Sequence, residues 1–130
     1  MIKLKSLLVE RIDYHEIATQ LVKDYGLRSK VKFGNIKGGN KGNYDWNKDI
    51  IYLKKNYPSV KEFIITVLHE IDHAKDRKKM GWRKYEKEYQ KAGDIATNKG
   101  RDFHDDNAFE EKAEDWARKE YSRKWSQKFK

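Results

Sequence analysis

The chain has no cysteine. A disulfide framework is therefore excluded, and so is any thiolate metal site. A metal ion bound here must be held by histidine and carboxylate. Proline occurs once, at Pro58, just ahead of the strongest helical pattern in the chain. Long apolar runs are missing too. Nothing approaches the ~20 apolar residues of a membrane-spanning helix. The opening residues Met1 to Lys5 lack the apolar stretch of a signal peptide, and Leu7-Leu8-Val9 is too short to supply one. The expectation is a cytoplasmic protein with no membrane partner. Acidic residues are in deficit, 21 against 30 lysines and arginines, for a net charge of +9. That balance allows weak, salt-sensitive attraction to nucleic acid or to an acidic partner, and a solvated basic surface is its commoner explanation.

What is present is aromatic. Hydrophobic residues are only 37% of the 130, but four Trp, eight Tyr and five Phe bury much area for their number. The length suits one domain, expected to be monomeric, with a thin core and a heavily charged surface.

The chain centres on Leu68-His69-Glu70-Ile71-Asp72-His73-Ala74. Residues four apart on a helix share a face, so His69 and His73 can offer two imidazole nitrogens to one ion. Glu70, one step round the helix, is placed to take a proton from water held by that ion. The surrounding pattern is helical. Ser59 and Glu62 form a capping box, and Val60, Phe63, Ile64, Val67, Leu68, Ile71 and Ala74 make a buried stripe that ends at Met80-Gly81.

Upstream, Ile2 to Val9 reads as a short strand or an ordered lead-in. Asp13 and Glu16 cap a first helix over 14–25 that Gly26 stops. Val31 and Phe33 read as a strand with a bulge at Gly34. Tyr44 to Leu53 reads as a hairpin with a two-residue turn at Asn47-Lys48, with Asn47 in positive φ. Downstream, Trp82, Tyr85 and Tyr89 predict a shorter helix over 82–91, and 93–106 reads as a loop that lines or covers a cleft. A last helix starts near Asn107, with Phe109, Ala113, Trp116, Ala117, Tyr121, Trp125 and Phe129 on its apolar face. Its end, 118–130, is basic, and a fold-back of this tail over the cleft would hold the site latent. The fold class is α+β: an N-terminal helix, a short three-stranded, mostly antiparallel sheet, the central helix and a C-terminal helix.

Catalytic zinc takes three protein ligands and a water. The third ligand must come from another element, and Glu110, Glu111, Glu114, His104, Asp105 and Asp106 are the candidates. Glu110 flanks the apolar stripe of the last helix, in line with Ala113, Glu114 and Ala117. Glu111 is turned ~100° further toward solvent. Glu110 is therefore favoured as ligand, with Glu114 one turn on as a carboxylate that orients a ligand histidine. Asp76 is a second such carboxylate, or a partner for Arg77 and Lys79. Asn107 with Glu110 also fits a capping box, which would use Glu110 structurally. His104 is either a third ligand or a donor to the oxyanion formed on attack at a carbonyl, a role also open to Tyr85 or Tyr89.

Together, His69-Glu70-x-x-His73 and the later Asn107-Ala108-Phe109-Glu110-x-x-Ala113-Glu114 resemble the gluzincin metallopeptidases, in particular the minigluzincins and small phage-encoded metallopeptidases. The resemblance implies a zincin-like domain, zinc on His69, His73 and Glu110, Glu70 as general base, and a peptide or protein substrate lying along strand 49–53. For a phage-encoded protein it implies residence in the host cytoplasm or virion. The pattern H-E-x-x-H-x-x-G-x-x-H fails, since Asp76 and Lys79 stand at its Gly and His positions. Two alternatives remain. An SprT-like protease acting on DNA-bound proteins would use a later histidine, His104. A non-catalytic nucleic-acid-associated protein would use the cations and aromatics of 118–130.

Overall fold

The structure, a computed structural model, describes residues 13–36 and 38–128. Four α-helices, α1 (Tyr14–Asp24), α2 (Val60–Met80), α3 (Trp82–Asn98) and α4 (Ala108–Glu120), accompany a small sheet of β1 (Lys30–Phe33), β2 (Gly42–Asp45) and β3 (Ile50–Leu53). The class is α+β. The expected Ile2–Val9 strand and the Phe129 contact lie outside the described residues.

The sheet is mixed rather than mostly antiparallel. Its order is β1-β3-β2, with β2 antiparallel and β1 parallel to β3. The short connection forces β2 and β3 to run antiparallel. β2 then occupies one side of β3, and β1, which runs opposite to β2, must take the other. β3 is thus the central strand, with Ile51 and Leu53 fully buried, and β2 and β1 form the edges. Gly34 makes no bulge; it follows β1, and its N–H donates to the Leu53 carbonyl at 2.9 Å.

The hairpin turn is also longer than predicted. It spans 46–49, and the residue in positive φ is Asp49 (58°), not Asn47. The Asp45 carboxylate accepts from the N–H groups of Asn47 (2.9 Å) and Lys48 (3.0 Å), which closes the turn locally. Asp49 gains two tertiary donors, the hydroxyls of Ser29 and Tyr44, both at 2.6 Å. Those bonds offset the left-handed backbone.

Helix starts and stops follow the residues that mark them. The Asp13 carboxylate accepts from Glu16 N–H at 3.0 Å, and Ser59 Oγ accepts from Glu62 N–H at 3.1 Å. Glu62 itself turns to Lys41 (3.3 Å). Gly81, at φ 89°, separates α2 from α3. α2 is the hub of the core: Phe63, Ile64, Val67, Leu68 and Ile71 are fully buried, and Ala74, Ala113 and Ala117 let α2 and α4 pack closely.

The largest departure from the sequence reading is α3. It continues past Lys91 to Asn98, so the loop is 99–107 rather than 93–106. Gly93 sits inside the helix and does not break it.

After α4 the chain makes a π-helical turn, Tyr121–Trp125, in which Ser126 N–H donates to the Tyr121 carbonyl at 2.8 Å. Tyr121 and Trp125 are buried. Tyr25 OH donates to Glu120 Oε2 (2.6 Å) and accepts from Trp125 Nε1 (2.9 Å), tying this turn to the end of α1. The described part of the basic end therefore packs against α1 through Glu120 and Trp125. Among the described residues of this end, the aromatics Tyr121 and Trp125 are core residues rather than an exposed stacking surface. Among the described residues no helix is long and apolar enough to cross a membrane.

Candidate metal centre

His69 and His73 lie one turn apart on α2, with ring centroids 4.9 Å apart. Their Nε2 atoms converge on one oxygen, Glu110 Oε1, at 2.7 and 2.9 Å. The Asn107 cap explains why Glu110 is free to do this. Asn107 Oδ1 accepts from Phe109 N–H (2.8 Å), so the cap does not use the Glu110 side chain. His69, His73 and Glu110 form a group that can hold a metal ion, their ligand atoms all within 4.8 Å of one another.

The donor chemistry fits such an ion, because each ligand is held from behind. With Nε2 left as the lone pair, each Nδ1 carries the proton. His69 Nδ1 then donates to Glu114 Oε1 (2.9 Å), and His73 Nδ1 to the Tyr85 hydroxyl oxygen (2.9 Å). Tyr89 OH donates to Glu110 Oε2 (2.5 Å). Three ligands thus have three outer partners. Glu114 stands where the sequence reading put it. Asp76 does not: its carboxylate lies 2.9 Å from Lys112 Nζ, which also bonds Asp72 at 2.7 Å. Tyr85 takes the orienting role that Asp76 was expected to fill. Tyr85 and Tyr89 are both buried, yet they border the cavity beside Glu70, with their hydroxyls engaged by His73 Nδ1 and Glu110 Oε2. Their four-residue spacing on α3 mirrors that of His69 and His73, and it is the one signal that pointed to them.

Charge at the cluster is strongly coupled. Without an ion the two Nε2 atoms carry protons instead: burial opposes ionisation of Glu110, but hydrogen bonds from His104, His69 and His73 outweigh it and hold the carboxyl far below the usual range. Burial likewise works against charge on His69, yet Glu110 and Glu114 raise it to about 10. Glu70 behaves in the opposite way. It is buried, and desolvation pushes its carboxyl up despite the neighbouring histidines. Its side chain packs on β2, where a Cβ on Gly42 would lie 3.2 Å from Glu70 Oε2 and 2.9 Å from Thr66 Cγ2. Gly42 leaves room for the Glu70 carboxyl.

The remaining candidates sit around the rim. His104 Nε2 lies 3.2 Å from Glu110 Oε2, and its Nδ1 lies 3.1 Å from Asp105 Oδ1. The Glu110 hydrogen bond is the main cause of a pKa raised to about 9. Asp106 accepts from Asp102 N–H (2.8 Å). Glu111 is exposed, away from the ligand atoms. Two cavities meet at the cluster. One, of about 280 Å³, runs between Glu70 and the β2 edge at Gly42–Tyr44. The other, of about 990 Å³, runs along α4 past Glu111 and Asp115 to Arg118 and Arg123. His69, His104, Asp105, Glu110 and Glu114 line both.

Comparison with protein-family models, with curated proteins and with solved structures finds no match.

Proposed function

We propose that this chain is a zinc-dependent endopeptidase of the gluzincin type, with a zincin-like fold. The observation that carries the reading is the meeting of His69 Nε2, His73 Nε2 and Glu110 Oε1 beside the buried Glu70 carboxylate. Two imidazoles and one carboxylate, with no thiolate, are a donor set suited to catalytic zinc with an open position. When bound, the ion supplies a water of lowered pKa and polarises a carbonyl. Glu70 accepts the proton of the attacking water and delivers it to the leaving amine; a carboxyl raised by burial suits both steps. His104, at the mouth, donates to the carbonyl oxygen as it gains charge. The substrate backbone pairs with β2, which is an edge strand and lines the cleft, in place of the central β3.

Zinc-loaded protein should cleave an unfolded protein substrate, and a zinc chelator should stop it. Stoichiometric zinc with no cleavage across a broad peptide library would refute the peptidase reading. Gly42→Ala should keep zinc yet lower kcat by about 10–10²-fold, because displacing Glu70 by a fraction of an ångström spoils its alignment. Steady-state kinetics with metal analysis checks this; an unchanged kcat would show that Glu70 does not depend on the space at Gly42.

A further inference from the structure

Glycine in a helix interior destabilises it relative to alanine. Gly93 is such a residue, buried in α3. A Cβ there would overlap Cε2, Cζ and Cδ2 of Phe103. The ring of Phe103 thus occupies the space that a side chain at position 93 would fill, and it also lies 6.4 Å from the ring of Tyr89. The next residue in the chain is His104.

The turn that carries His104 is bonded to itself. Asp102 Oδ1 accepts from the N–H groups of His104 (2.9 Å) and Asp105 (2.7 Å), and Asp106 N–H donates to the Asp102 carbonyl (3.1 Å). Asn107 N–H donates to the His104 carbonyl at 3.2 Å. Such a turn moves as a unit. It is fixed to the body by the Phe103 ring on Gly93, and by Asn107 Nδ2 donating to the Tyr89 carbonyl at 3.1 Å. Asn107 is fully buried and sits at the start of α4, so it fixes the helix end of the turn. Phe103 sets the pitch of the other end, and with it the position of the His104 ring where the two cavities meet.

We infer that Gly93 and Phe103 are positioning residues that lock His104 in place over the cleft, and that His104 is the group through which they affect turnover. The effect on turnover rests on the peptidase reading; the lock itself does not. Gly93→Ala should leave zinc stoichiometry unchanged, move the His104 ring resonances in a ¹H–¹⁵N spectrum, and lower kcat by on the order of 10²-fold, the scale of a misplacement near 1 Å. In a His104→Ala background the same substitution should cause no further loss.

An equal loss with and without His104, or unmoved ring resonances, overturns the proposal. Should Gly93→Ala fail to fold, Phe103→Ala adds no bulk and carries the same test. It should broaden the His104 ring signals and reduce turnover only when His104 is present. If the wild-type protein cleaves no peptide, the peptidase reading fails, and the ring resonances still decide whether the lock exists.

Discussion

Glu70→Gln protein will bind zinc as the wild type does and lose peptide hydrolysis by on the order of 10²–10⁴-fold. Glutamine keeps the shape of glutamate but cannot take a proton. The group that can hold a metal ion is His69, His73 and Glu110, and Glu70 is not part of it, so the substitution should not cost metal. The fold has no reason to weaken either. Burial raises the Glu70 carboxyl, which means that the fold disfavours its charged form. A carboxyl raised in the fold subtracts stability above its unfolded pKa, and a neutral amide removes that cost. The metal-free variant should therefore melt no lower than the wild type. Zinc per chain, melting temperature and kcat together give the test. Hydrolysis within about twofold of wild type would remove Glu70 from the mechanism.

The sequence carried the candidate metal centre further than the sheet. His69 and His73 are four apart inside a capped apolar helix, so local periodicity alone puts them on one face. Glu110 was legible for a related reason: its place beside Ala113 and Ala117 put it on the flank that α4 buries. The outer partners needed tertiary information. Asp76 was readable as a neighbour of His73 from its spacing, whereas Tyr85 was read as an oxyanion donor, and only the packing of α3 against α2 brings its hydroxyl to His73 Nδ1. Lys112 draws Asp76 away, and nothing near position 76 in the sequence announces a lysine on α4. The sheet failed for a similar reason. Strand residues alternate locally, but whether β1 runs with or against β3 depends on the connection 34–41, whose sequence has no period to read. Gly93 was misread because glycine usually marks a helix end. Here its missing Cβ accommodates a ring ten residues away.

Glu110→Ala should abolish stoichiometric zinc binding and lower the melting temperature of the metal-free protein, two effects with one origin. For the metal, the loss of one of three ligands should weaken affinity by more than the roughly 10–100-fold that follows loss of an outer partner. For the fold, Glu110 is a buried anion shared by His69, His73, His104 and Tyr89. Removing one partner of a buried pair costs up to about 3–5 kcal/mol. The histidines can shed protons once the carboxylate is gone, so the observed cost should fall near the lower end. Each kcal/mol is worth about 3–5 °C at this chain length. Zinc at about 100 times its Kd stabilises the wild type by a further ~2.7 kcal/mol, a gain that chelation removes and that the variant never shows. Glu111→Ala is the matched control. It removes the same charge one residue along α4, from an exposed side chain outside the ligand group, and should keep both zinc and stability. His104→Ala should keep zinc as well, since its ring meets Glu110 Oε2 rather than the point where the two α2 histidines converge. Wild-type zinc affinity in Glu110→Ala, with loss in His104→Ala, would transfer the third position to His104 and move the chain toward the SprT-like arrangement.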